Sequence, residues 1–512
     1  MAPVGGSYAV TRPGQALRAT SAAIAIPVAT AAPVGTMTSW AWIVTASGLP
    51  SSHQLKQLGA RGAELAAPAR GPPGYTEMFT GLAHGKRSTA VSTYDDADRL
   101  QIRLRTGGDP TMKIALIAGP IGAPARSTAY AYPGDPAAAV LPLAKALAGR
   151  GQQVTVYSRR DSAALARRAA PCRGVTVEYI PAGPSARLTD DELLPYIPAF
   201  ARQLAERWRR SAPDVAHAYS WTSGLTALAG ARDIGLPVVQ TFHSLEPDTA
   251  SDRGQPARSR SQRIRLEAAI GRAARAVLAG TSDQRGELGR LGVPLASVRV
   301  VPPGVDTSTF RPSGPAATRD RRPRLLMVTG LGERQGLATA ARALAEVPDA
   351  ELLVVGGPAR SQLADDPGYR ALIRLARELG VHDRLRCVGT VSQADMPALM
   401  RSADALVNLT ATEPLATVSL EAMACGPPVI ASEAGINGDA VIDGVTGYLV
   451  SPARPALLAA RIRRLLGSPM LREGFGIAAA RRAEDRYSWE RISQETLAVY
   501  QALPGLRLEA AA

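Results

Sequence analysis

Thr412-Glu413-Pro414-Leu415-Ala416-Thr417-Val418-Ser419-Leu420-Glu421-Ala422-Met423-Ala424-Cys425-Gly426-Pro427-Pro428-Val429-Ile430-Ala431 carries the reading of the fold. It follows the apolar run Ala405–Leu409, opens a helix, stops it at Gly-Pro-Pro and enters a second apolar run. A short strand, a crossover helix and another short strand make one unit of a parallel sheet. The helix start offers unpaired backbone N–H groups that suit a phosphate. Glu413 precedes it and Glu421 comes eight positions later. Eight helical residues rise about 12 Å, roughly the span from a sugar ring across a diphosphate to a ribose. The bland alternative is a helix N-terminus with a favourable early glutamate.

Working outward, the same alternation recurs. Before this segment come Arg324–Val328, Glu351–Val355 and Arg386–Val388, which with Ala405–Leu409 and Val429–Ala431 form one strand series. An earlier series holds Met112–Ala118, Val154–Tyr157, Val175–Ile180, Val215–His217, Val238–Phe242 and Ala276–Leu278. Helices are expected between them, notably Pro136–Ala148 and Arg263–Arg275. The two series meet at Val301-Pro302-Pro303-Gly304-Val305-Asp306 and the Pro/Arg-rich 311–323, a composition suited to a hinge. The expected fold class is α/β, with two Rossmann-like parallel-sheet domains facing a central cleft, 112–308 and 309–485, followed by 486–512 as a final helix and tail. Ligands of such sheets bind at the carboxyl ends of the strands.

Residues 1–111 read differently, as a low-complexity, disordered extension rich in Pro, Gly, Ser, Thr and Ala. Translation from Met112 is the other expectation. Ala19–Leu55 lacks any charged residue, but Pro27 and Pro33 interrupt it, which disfavours a membrane span.

Composition bounds the function. The 512 residues carry 59 basic and 44 acidic side chains, a net charge of +15. Nearly all the basic residues are arginine, and they are dispersed, with no basic block interleaved with aromatics, so no nucleic-acid partner is expected. A basic face resting on the inner face of an anionic membrane fits better. Cys172, Cys387 and Cys425 are far apart, which excludes a disulfide framework and fits a reducing cytoplasm. The five histidines make no metal-ligand spacing, so no metal and no cofactor is expected.

The Glu-x7-Glu segment resembles the retaining family-4 glycosyltransferases of the GT-B fold, and the likeness runs from about Met112 to Tyr500. Pro213-Asp214-Val215-Ala216-His217-Ala218-Tyr219 and Val239-Gln240-Thr241-Phe242-His243 are similar to that family's first-domain histidine strands. Arg265-Leu266-Glu267 and Val301–Asp306 look like its hinge region, Asp443–Val450 like its late strand turn, and Tyr487-Ser488-Trp489 like the start of its last helix. Sucrose-phosphate-synthase-like and mycothiol-pathway members resemble the chain most. The resemblance implies a nucleotide diphospho-sugar donor and an acceptor hydroxyl on a small molecule, glycan or lipid. It implies that 112–308 is the acceptor side and 309–485 the nucleotide-sugar side, and that the final helix of 486–512 returns to the first domain. It implies that Glu413 contacts the transferred sugar, that Glu421 holds the ribose, and that Ala416, Thr417 and Val418 offer N–H groups to the phosphates. His243 would face the sugar with His217 nearby, both read as strand-end residues, and Thr390-Val391 would line the nucleobase pocket. The departing diphosphate would act as base.

Three departures stand out. In Gly330-Leu331-Gly332-Glu333-Arg334-Gln335-Gly336, Leu331 and Gln335 occupy the family's phosphate-clamping Arg and Lys positions, leaving Arg334, or Arg360 further on, to compensate. Asp135 follows Gly134 where a Gly-Gly phosphate loop is usual, and Leu415-Ala416 replaces Phe-Gly. Two lost charge-assisted hydrogen bonds amount to roughly 3–6 kcal/mol. These changes leave a catalytically impaired binding or regulatory protein as the alternative reading, and they predict that Leu331→Arg with Gln335→Lys tightens diphosphate binding.

Overall fold

The computed structural model describes residues 111–119, 136–246, 257–332, 336–409 and 417–503, plus three short strands nearer the N-terminus. Those strands, Trp42–Ile43, Ala90–Thr93 and Gln101–Leu104, pair antiparallel as a small unit of their own. The expectation for the remainder of 1–111 lies outside the described residues.

The chain from Pro110 onward is one compact unit containing two sheets. Across the first, the strands run Val298–Val300, Ala276–Ala279, Val238–Thr241, Val215–Tyr219, Lys113–Ala118, Gln153–Arg159, Val175–Ile180 and Arg168–Cys172. All pair in parallel except the last, an antiparallel edge strand that the sequence reading missed. Pro171 lies within it, where the register shifts between Ala169 and Cys172, and a sheet edge is where proline can be tolerated.

The second sheet runs Leu385–Gly389, Glu351–Val355, Arg324–Val328, Ala405–Asn408, Val429–Ala431 and Gly447–Leu449, all parallel. Its strands are apolar because helices cover both faces: Arg324–Val328, Glu351–Val355 and Ala405–Asn408 are buried at every position. Strand order reverses between Arg324–Val328 and Ala405–Asn408 in this sheet, and between Lys113–Ala118 and Val215–Tyr219 in the first. At such reversals successive helices leave on opposite faces and open a crevice at the strands' carboxyl ends.

Several boundaries differ from the sequence reading. The helix expected at Arg263–Arg275 spans Ala257–Ala273, and the strand expected at Arg386–Val388 spans Leu385–Gly389. The first halts where Ala274 N–H still bonds Ile270 O and Arg275 N–H turns to Val238 O, committing the chain to the next strand.

The two halves join along Val305 and Tyr487–Trp489. Val305 N–H donates to Tyr487 O at 2.8 Å, and Trp489 N–H donates to Val305 O at 3.3 Å. The last helix, Trp489–Gln501, then packs into the first half. Ile492, Leu497 and Tyr500 share a core with Ile114, Leu116 and Val140, and Arg150 Nε donates to Ser493 Oγ at 3.0 Å.

Candidate active site

In the second half, the strand Ala405–Asn408 leads toward the helix Val418–Cys425, and all eight side chains of that helix are buried. Glu413 and Ala416 lie outside the described residues, as do Arg334 and Gly134. Thr417 and Val418 stand at the helix start, where Thr417 makes no side-chain cap, so the first amides lack that partner. Glu421 is in the first turn and only 9 % exposed. From Val418 to Glu421 the helix rises about 4.5 Å, and the expected rise of about 12 Å from Glu413 lies partly outside the described residues.

A buried polar network that the sequence reading missed holds this helix. Asn408 Nδ2 donates to Ser419 Oγ at 2.9 Å, and Ser419 Oγ donates to Asn437 Oδ1 at 2.6 Å. Strand end, helix start and the following helix Ile436–Ala440 are thereby fixed together. The only sequence signal was polarity, at Asn408 and Ser419, inside runs otherwise apolar.

Gly330 follows Arg324–Val328 at the other side of the same strand reversal, partly buried. Beside it, Gly356 (φ +126°) lies so close that an added Cβ would sit 2.2 Å from Thr329 O, so only glycine fits. Leu331 is 7 % exposed and belongs to the core with Leu337 and Leu363. Its side chain fills a slot over Gly357. The expected Leu331→Arg repair is therefore a substitution at a core position, not at a free loop position. Val391, partly buried, packs against the other face of the sheet, and Thr390 Oγ1 donates to Gly357 O at 2.6 Å.

In the first half, His243 lies two residues beyond the strand Val238–Thr241, partly buried and in contact with neighbouring groups. His217 does not sit at a strand end. It is the central residue of Val215–Tyr219, is fully buried, and uses both ring nitrogens: Nδ1 lies 2.6 Å from Tyr500 Oη and Nε2 2.8 Å from Thr241 Oγ1. Burial lowers its pKa to about 3. The expected catalytic role is corrected to a structural one: the ring ties the returning helix to the first sheet. At the actual strand end stands Ser220, the one non-glycine residue with positive φ (95°) among the described residues. Its side chain caps the helix Trp221–Ala231, and buried Gln240 Nε2 donates to its carbonyl at 3.0 Å.

A cluster of arginines and glutamates adjoins His243. Glu246 and Glu267 are buried; Arg263 Nε donates to Glu267 Oε1 at 2.9 Å, and Glu246 N–H donates to Glu267 Oε2 at 2.9 Å. Burial raises the Glu267 pKa despite these bonds and the Arg263 charge. At the hinge, burial would raise the Asp306 carboxyl, but hydrogen bonds from Ser308 and Thr309 outweigh it and hold it below the usual range.

Comparison with known proteins agrees with this fold. The profile described as Glycosyltransferase Family 4 matches residues 137–309, and that of Glycosyl transferases group 1 matches 313–482. Relatives include the D-inositol 3-phosphate glycosyltransferases of Frankia alni, 34% identical over 71% of this chain and 93% of that protein, and of Kribbella flavida, 32% identical over 71% and 89%. Among solved structures, the sucrose-phosphate synthase of Thermosynechococcus elongatus superposes with a TM-score of 0.66 at 27% identity, covering 77% of this chain and 99% of that one. Relatives named as transferases weigh against the non-catalytic alternative.

Proposed function

The chain belongs to the family-4 glycosyltransferases and has their GT-B fold, and from that premise we propose that it moves a sugar from a nucleotide diphospho-sugar to an acceptor hydroxyl with retention of anomeric configuration. One observation carries the reading of the donor. The second sheet reverses its strand order where Gly330 and the start of the helix Val418–Cys425 converge, and Glu421 stands in that helix's first turn. Amides of Ala416, Thr417 and Val418 take the diphosphate at the positive end of the helix. Glu421 accepts the ribose hydroxyls and Glu413 the sugar hydroxyls, while Val391 borders the base. Arg334, or Arg360, which is exposed at the same sheet edge, supplies the missing cation. His243 approaches the sugar from the first half. The departing diphosphate takes the acceptor proton, so retention follows from attack on the face it leaves. No metal or cofactor enters this scheme.

The relatives are named for D-inositol 3-phosphate, a phosphorylated cyclitol. The support for a nucleotide donor is independent of that name, and calorimetry tests it. UDP, GDP and ADP are titrated into the protein and into Glu421→Ala. Micromolar binding of one nucleotide, lost in the variant, is the expected result. Equal binding by both proteins would take Glu421 out of the donor site.

A further inference from the structure

The carboxyl edge of the first sheet is rich in arginine, and several of the described arginines there are held by protein groups. Arg159 is buried and donates to Pro184 O at 2.6 Å. Arg160 donates to Leu165 O at 2.9 Å and Ala163 O at 2.7 Å. The side chain of Arg187, by contrast, is 87% exposed and comes no nearer than 3.9 Å to Asp161. Two more are Arg260 and Arg263, whose side chains keep 17% and 20% of their surface exposed.

Both face Glu246. Its carboxylate lies 3.3 Å from Arg263 Nη1 and 3.6 Å from Arg260 Nε, and its side chain is 3% exposed. Glu267 takes Arg263 Nε from the other side. Two guanidiniums thus meet two carboxylates, with no net charge. The contact to Arg260 is poor as packing: Arg260 Nε and Glu246 Oε1 are both buried without a hydrogen-bond partner. A residue there only to fill space would be apolar, since an apolar side chain leaves no unpaired buried oxygen. The charge of Glu246 instead occupies cations that, released, would make forked bonds to a phosphate.

We propose that Glu246 is a specificity determinant that sets this transferase against phosphorylated acceptors, and that the acceptor approaching His243 is a neutral polyol or sugar. The chain runs from His243 through Ser244 to Glu246, and Arg263 Nη2 donates to Ser244 O at 3.2 Å, so the neutralised cluster lies beside His243, the residue that the proposed transfer sets against the sugar. The inference rests on the proposed transfer to a hydroxyl acceptor at this edge.

The test uses full-length wild-type protein, Glu246→Gln, Arg263→Gln and Glu246→Gln/Arg263→Gln, each titrated with inorganic phosphate, D-inositol 3-phosphate and myo-inositol. Glu246→Gln keeps the shape and removes the charge. It is expected to bind phosphate and the phosphorylated cyclitol about tenfold or more tightly than wild type, and the double variant is expected to lose that gain. Wild-type affinity for inorganic phosphate is expected to be the same in Arg263→Gln, an arm that stands even if Glu246→Gln melts early. A wild-type protein whose phosphate binding collapses in Arg263→Gln would overturn the proposal, as would a well-folded Glu246→Gln with wild-type affinity. Titration with UDP, GDP and ADP in parallel reads the donor site separately. Loss of all nucleotide binding with the phosphate response intact removes the transfer reading and not the charge assignment.

Discussion

The carboxylate of Asp283 accepts a hydrogen bond from the backbone N–H of Gly435 at 3.0 Å, from one half of the molecule to the other. The contact is reciprocated: Ser282 N–H donates to Asp439 Oδ2 at 2.7 Å. Ser282 and Asp283 open the helix Ser282–Arg290, and Gly435 caps the helix Ile436–Ala440 that carries Asp439. Each helix start therefore receives a carboxylate from the opposite half, with favourable charge at the positive end of the dipole. Both follow strands at the carboxyl edges, so the pair spans the gap between the sheets. Exposed contacts of this kind are worth up to about 1 kcal/mol each. Asp283→Ala with Asp439→Ala should widen the separation of the halves in solution scattering while leaving the melting temperature within a few degrees of wild type. A scattering curve identical to wild type would mean that other contacts set the separation.

His217 gives a pH prediction with a definite sign. Its folded pKa is held near 3 by burial, below the ordinary value of about 6.5 in an unfolded chain. Between these values the unfolded state binds the proton and the folded state does not. The stability associated with neutral His217 is full above about pH 6.5 and is lost as pH falls, by up to about 1.4 kcal/mol per unit. Urea midpoints at pH 7 and pH 5 should differ less in His217→Gln than in wild type. Tyr500→Phe, which strips the partner from Nδ1, should cost about 1–3 kcal/mol at pH 7. An unchanged pH slope in His217→Gln would assign the proton uptake to another group.

The phosphate-clamp positions separate into two predictions that the sequence joined. Leu331 is in the core, and a guanidinium forced there costs several kcal/mol. Leu331→Arg should lower the melting temperature well before it helps any ligand. Gln335→Lys alone should tighten nucleotide diphosphate binding about tenfold. A stable Leu331→Arg protein with improved binding would show that the side chain swings out of its slot over Gly357.

The sheets were legible because strands buried on both faces need unbroken apolar runs: Arg324–Val328, Glu351–Val355 and Val429–Ala431 have the same limits in sequence and structure. Arg168–Cys172 was not legible, since an edge strand of Arg-Ala-Ala-Pro-Cys has neither an apolar run nor alternation. The site was legible as a segment and less so as geometry. Among the described residues the helix starts at Val418, a boundary that the Glu-x7-Glu spacing alone does not encode. His217 looked functional because a histidine in a strand beside a cleft can face either way. Tyr500, its partner 283 positions away, is invisible to any local pattern. Leu331 looked like a lost cation because its burial comes from Gly357 and Leu363, on later elements.

Ser220 offers a test of whether strain at the first strand reversal serves function. A φ of 95° in a residue with a Cβ costs on the order of 1–3 kcal/mol, and here surrounding bonds maintain it. Its Oγ accepts Ser223 N–H at 3.3 Å, and Gln240 Nε2 holds its carbonyl at 3.0 Å. Ser220→Gly removes the backbone cost together with the cap, and these changes oppose each other. Ser220→Ala keeps the strain and loses the cap, for a net loss of about 1 kcal/mol. The glycine variant should therefore be the more stable of the two. If the strained turn exists to aim the start of Trp221–Ala231 at the acceptor, Ser220→Gly should raise the acceptor KM without altering nucleotide affinity, because the donor groups are on the other half. Equal KM values in wild type and Ser220→Gly, with the stability order as stated, would reduce the strained residue to a feature of folding alone.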